Sequence, residues 1–154
     1  MRYINYGKQS ISQDDIREVS KTLRSNFLTT GPKINQFENK FSKYTGARYS
    51  IACSNGTAAL YLAFKAIRLK KNDAVIIPAI NFVAAANTAS ILNAKIYLSD
   101  VDPSTGQMTP ELLKKCIKEN KLKKLKVICT MHNGGNPLNA KEIYKISRLK
   151  KCFL

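Results

Sequence analysis

Acidic side chains are scarce in this chain. Ten aspartates and glutamates stand against 26 lysines and arginines, a formal charge of +16 at pH 7. Tryptophan is absent and histidine occurs once, at His132. The four cysteines, Cys53, Cys116, Cys129 and Cys152, are widely spaced and form no CxxC pair. Zinc needs clustered thiolate or imidazole ligands, so this spacing argues against a metal site. The strand-like apolar surroundings of Cys53, Cys129 and Cys152 predict buried, reduced thiols instead. Apolar runs such as Ala84-Ala85-Ala86 are far too short to cross a bilayer. No apolar stretch follows Met1–Tyr6, as a signal peptide would require. These absences favour a cytoplasmic protein with no membrane role.

The excess of positive charge raises nucleic acid as a partner. Its distribution weakens that reading. Lys65, Arg68, Lys70 and Lys71, then Lys114, Lys115, Lys118, Lys121, Lys123, Lys124 and Lys126, then Lys145, Arg148, Lys150 and Lys151 fall mostly on helix faces or helix ends. A solvated face is the ordinary explanation of such runs. No aromatic RNA-recognition motif or zinc knuckle accompanies them. A non-catalytic basic protein that binds nucleic acid or a partner stands as the alternative function.

What is present is a globular composition: 154 residues, 44% hydrophobic and 23% charged, enough for one sizeable core. Residues 1–12 read as extended. Ser12 with Asp14 and Asp15 opens a helix whose apolar face is Ile16, Val19 and Leu23, ending near Ser25-Asn26. Gly31-Pro32 punctuates the chain, and Ile34, Phe37, Phe41 and Tyr44 predict a second helix closed by Gly46. Strands and helices then alternate: strand 49–53, helix 57–69, strand 74–77, helix 82–92 with Asn81 as its cap, strand 95–99, a helix from Pro110 capped by Thr109, strand 125–130 and helix 139–149. The apolar strands imply an α/β domain with a largely parallel sheet. We divide the chain into an N-terminal segment, 1–48, and an α/β domain, 49–154. The terminal Cys152-Phe153-Leu154 reads as another buried strand just starting, so we expect a chain cut short.

The turn Ser54-Asn55-Gly56-Thr57, between an apolar run and a helix, is the leading candidate site. A helix N-terminus offers unpaired N–H groups and a dipole that favours anions. Such residues are also ordinary helix caps. The pattern is neither a Walker A loop nor GxGxxG. The turns at 54–57, 78–82 and 131–137 all follow predicted strands, which puts them on the carboxyl edge where open α/β sheets bind ligands.

Several pieces, taken together and in order, resemble the N-terminal part of the DegT-type nucleotide-sugar aminotransferases. They are Ile4–Ile11, Phe27-Leu28-Thr29-Thr30-Gly31-Pro32, Ser54–Leu60, Asn81–Asn87, Asp100-Val101-Asp102-Pro103 and Gly134-Gly135-Asn136-Pro137. Tyr6-Gly7-Lys8-Gln9 and Phe82–Asn87 look most similar to the enzymes that make 4-amino-4,6-dideoxy sugars for pseudaminic acid. The resemblance implies part of the large domain of an aspartate-aminotransferase-like, fold type I enzyme that uses pyridoxal 5′-phosphate (PLP). It implies that Gly56, Thr57 and Ala58 hold the PLP phosphate and that Phe82 stacks on the pyridine ring. Tyr6, Thr29, Thr30 and Asn136 match segments beside the sugar. Asp102 resembles a recurrent family aspartate, although Asp-Pro also starts turns. The implied reaction passes an amino group from an amino acid, glutamate in the family, to a nucleotide-linked keto sugar, in a homodimer. Family members bind PLP covalently through a lysine and set an aspartate against the ring nitrogen. No lysine here lies in the matching context, so no catalytic residue is assigned. We expect a chain inactive by itself, or one half of a split aminotransferase.

Overall fold

The computed structural model describes residues 7–154. These form two compact units, the first ending at Ala52 and the second spanning Cys53–Leu154.

The first unit contains two helices, α1 (Gln13–Leu23) and α2 (Pro32–Thr45). Ser12 and Asp15 close a reciprocal capping box at the start of α1. Pro32 occupies the first position of α2, and Gly46 ends it at φ 73°, a left-handed conformation that suits glycine. Neither helix contains a buried residue. Ile16, Val19, Phe37 and Phe41 line up at helical spacing yet are exposed. Glu18 pairs with Lys33 at 2.7 Å. The backbone N–H of Ala52 donates to Glu38 Oε1 at 2.8 Å, tying the unit's last residue to α2.

The second unit is a three-layer α/β arrangement. Its elements are α3 (Gly56–Ala66), β1 (Ala74–Pro78), α4 (Ala84–Ile91), β2 (Lys95–Ser99), α5 (Pro110–Glu119), β3 (Val127–Ile128), a 3₁₀ turn (Asn133–Gly135) and α6 (Ala140–Lys150). The strands are parallel in the order β2-β1-β3, with Ala74 opposite Lys95 and Val75 opposite Val127. Side chains alternate across the sheet. Val75, Ile77 and Val127 face the layer of α3 and α4, packing with Phe64, Ala85 and Ala89. Ala74, Ile76 and Ile128 face α5 and α6, packing with Leu113, Ile117, Ile143 and Ile146. Central β1 is buried along its whole length, as a strand covered on both faces must be. Phe153 adds a parallel bridge to Val127, so the sheet continues one position past β3.

Several expected elements are corrected. Residues 49–53 form no strand. The Ala52 N–H goes to the Glu38 side chain rather than to a strand neighbour, and the turn at 54–57 therefore follows no strand, so the expectation that put it on the carboxyl edge loses its basis. Tyr49 and Ile51 are 74% and 80% exposed. The third strand is two residues long rather than six. Helix α4 starts at Ala84, not Phe82, and Asn81 does not cap it. Helix α3 stops at Ala66. There the N–H of Arg68 bonds Lys65 O and that of Leu69 bonds Phe64 O, a Schellman turn with Arg68 left-handed at φ 55°. Leu69 is buried by that turn, not by a helix face. Cys53 is exposed and Cys129 and Cys152 are half-buried, whereas Cys116, to which no role was assigned, is the buried thiol.

Candidate cofactor site

The first turn of α3 is shaped by its cap. Asn55 Oδ1 accepts the Ala58 N–H at 2.9 Å, and Asn55 Nδ2 donates to Ser54 Oγ at 3.3 Å. Asn55 therefore serves the helix and is not the free side-chain donor that its position suggested. Ala58 has its N–H committed to this cap. Among the described residues no acceptor faces the N–H groups of Gly56 and Thr57. The helix dipole adds its positive end at the same place. A β-carbon on Gly56 would meet nothing within 4 Å, so the space before this turn is open. Two backbone donors, the exposed Thr57 hydroxyl and open space together suit a phosphate group.

Phe82 lies between the end of β1 and the start of α4. Its ring is 74% exposed, so it is not the core phenylalanine that its apolar surroundings allowed. Packing explains why. The alanines Ala85 and Ala89 fill the contact between α4 and the sheet, and α4 begins only after Phe82. Helix α3 packs against α4 through Leu60 and Phe64. The N-terminal turn of α3 and the residue leading into α4 thus flank two helices that pack together.

Two further loops leave the carboxyl ends of the outer strands. After β2, Asp102 Oδ1 accepts from the backbone N–H groups of Ser104 and Thr105, both at 3.0 Å, and from their hydroxyls. These bonds, the Ser104 hydroxyl first, hold the Asp102 carboxyl below the usual aspartate range. Its geometry is that of a turn former. After β3, Asn136 is exposed, its carbonyl accepting from Gln107 Nε2 at 3.0 Å. Gln107 is only 4% exposed and joins the two loops. Gly106 before it, at φ 66°, leaves just 3.1 Å between a β-carbon and Asn133 Nδ2. Nothing in the local sequence marks Gln107; only the convergence of the loops does. Thr29 and Thr30 are exposed in the loop between α1 and α2 of the first unit. Tyr6 lies outside the described residues.

A profile of the DegT/DnrJ/EryC1/StrS aminotransferase family matches residues 9–154. The chain belongs to that family. It is 31% identical to the spore coat polysaccharide biosynthesis protein SpsC of Bacillus subtilis over 152 residues, which is 99% of this chain and 38% of SpsC. Spr1654 of Streptococcus pneumoniae, solved in its PLP form, superposes with a TM-score of 0.86 at 28% identity, covering 98% of this chain and 38% of Spr1654. PseC of Helicobacter pylori, an aminotransferase of pseudaminic acid biosynthesis, gives a TM-score of 0.87 over 99% of this chain and 40% of PseC. At 20% identity that last likeness shows the fold alone. The chain thus spans well under half the length of the relatives it matches. PLP is the cofactor of the family. The donors at Gly56 and Thr57 and the exposed ring of Phe82 fit its phosphate and its ring face respectively.

Proposed function

We propose that this chain supplies the phosphate-holding and ring-stacking side of the PLP site in a nucleotide-sugar aminotransferase. The observation that carries the reading is the first turn of α3, where two N–H groups face open space, with the exposed Phe82 ring just before the helix that α3 packs against. The phosphate would sit on the Gly56 and Thr57 N–H groups with the Thr57 hydroxyl beside them, where the helix dipole favours its charge. Phe82 would cover one face of the pyridine ring and keep water from it. When bound, PLP supplies the electron sink that lets an amino group pass between an amino acid and a keto sugar. Tyr6, Thr29, Thr30 and Asn136 would serve the sugar side. The donor is glutamate, the acceptor is a nucleotide-linked keto sugar, and the working enzyme is a cytoplasmic homodimer. Membership of the family supports the amino-acid donor, the sugar acceptor and the dimer.

Pyridoxine 5′-phosphate tests the site without the aldehyde that would react with surface lysines. Calorimetric titration of the full chain should show saturable binding. Phe82→Ala should weaken it by about tenfold, the worth of one good aromatic contact. Thr57→Val should weaken it similarly. Phe82 is exposed, so its removal should leave the thermal midpoint unchanged. Saturable binding that survives both substitutions would place the phosphate elsewhere and defeat the proposal.

A further inference from the structure

The opposite edge of the sheet carries a second feature, unrelated to the cofactor. Three segments that each lead into a strand position converge there: Asn72-Asp73 before β1, Lys123–Lys126 before β3, and Lys150-Lys151 before Phe153. They enclose a cavity of about 440 Å³. Five lysines line it, Lys123, Lys124, Lys126, Lys150 and Lys151, with Asp73 as the one acidic residue of the lining. Asp73 is already engaged, its Oδ2 accepting the Lys70 N–H at 3.0 Å. Among the described residues every ion pair lies in the first unit, so none of these ammonium groups is ion-paired.

Part of this clustering has a local cause. Lys150 and Lys151 close α6, where the negative end of the helix dipole favours cations. No helix end accounts for Lys123, Lys124 and Lys126. The backbone of Lys126 is fixed by the sheet: its N–H donates to Ala74 O at 2.9 Å and its carbonyl accepts from Phe153 N–H at 3.0 Å. The Lys126 ammonium is held over the Phe153 ring, 5.2 Å from its centroid. Like charges gathered at one cavity repel each other unless an anion bridges them. No aromatic side chain lines the cavity, so a base would find nothing to stack on. The ligand that fits is a compact, highly charged phosphate.

We propose that the amino edge of this sheet binds an oligophosphate anion through Lys123, Lys124, Lys126, Lys150 and Lys151. The length of β1 separates this site from the carboxyl edge by about 13 Å, at about 3.3 Å per residue. The probe is inorganic triphosphate, titrated calorimetrically into the full chain at low and at physiological salt. Binding should be saturable at one site and weaken steeply with salt. The variant Lys123→Ala/Lys124→Ala/Lys150→Ala should bind about tenfold or more weakly, since each lost contact is a charge-assisted bond. The control Lys65→Ala/Lys114→Ala/Lys141→Ala removes equal charge from other helix faces and should stay within about twofold. Lys123→Arg/Lys124→Arg/Lys150→Arg keeps the charge and should keep binding, which separates ligand loss from misfolding. ATP should bind no more tightly than triphosphate. Saturating pyridoxine 5′-phosphate should not compete. Equal weakening in both alanine variants would show net charge alone and overturn the proposal. So would competition by pyridoxine 5′-phosphate, or duplex DNA binding that both alanine variants weaken equally.

Discussion

At the scale of single residues, the thiols separate by environment. Burial pushes the Cys116, Cys129 and Cys152 thiols above their ordinary range, because a desolvated thiolate is disfavoured. Cys53 is exposed at the entrance to α3. Ellman's reagent should therefore modify one thiol quickly in the native chain and all four in denaturant. Cys53→Ser should remove the fast phase. Two or more fast thiols would contradict this packing. The sign of the pH effect follows from the raised values. Below the ordinary thiol value of about 8.5 both folded and unfolded thiols are protonated, and the contribution is whole. Above it the unfolded chain loses protons first, so stability falls until the folded thiols titrate too. Denaturation midpoints in reductant should decline as pH passes about 9. Asp102 runs the opposite way: hydrogen bonds depress its folded value, so its contribution is present above the usual aspartate range and disappears in acid.

At the scale of elements, the helices of the second unit share a terminus that their sequences do not announce. Arg68, Asn93, Lys121 and Lys151 are all left-handed, each followed by a residue whose N–H reaches back into the helix. The residues after them, Leu69, Ala94, Leu122 and Cys152, join the two core clusters. Glycine is the usual occupant of such a position, and none occurs at these four. Lysine in this conformation is strained by roughly 1 kcal/mol or more, so Lys121→Gly should stabilise α5, partly offset by a looser unfolded chain. At the other end of the same helix, Thr109 Oγ1 accepts the Leu112 N–H at 3.3 Å. Thr109→Ala should cost about 1 kcal/mol. Urea titrations of the two variants should move in opposite directions; a shift of the same sign would refute the assignment of strain to Lys121. These turns also show what could be read in advance. Ends marked by a residue type were legible: the side-chain caps Ser12 and Thr109, the prolines Pro32 and Pro110 in first turns, and Gly46 in its left-handed turn. Ends made by backbone strain were not, which is why α3 was drawn three residues too long. Alternation between apolar strands and helices disclosed the parallel sheet, but pairing is a property of neighbours. Tyr49–Cys53 has the composition of a strand and pairs with none. The candidate site divides in the same way. Its phosphate turn follows from a local cap pattern, whereas Gln107 works only through loops that meet in space.

At the scale of the whole molecule, the limiting fact is length against chemistry. The chain covers 38% of SpsC and 38% of Spr1654. Holding PLP requires a phosphate site and a ring platform, and the residues proposed for both lie in Cys53–Leu154. Moving protons during transamination requires a base at the reacting carbon, and the sequence resemblance assigns that role to no lysine of this chain. Binding and turnover should therefore come apart. Purified chain with PLP, glutamate and a UDP-4-keto sugar should form 2-oxoglutarate no faster than the same mixture without protein. Free PLP and exposed lysines can transaminate slowly by themselves, so Thr57→Val is the informative control. It keeps every lysine and disturbs only the phosphate turn. A rate above the protein-free mixture that persists in Thr57→Val would be solution chemistry on surface amines. A rate that disappears in Thr57→Val would mean that the chain transaminates at its own PLP site and that binding and turnover are not separate in it.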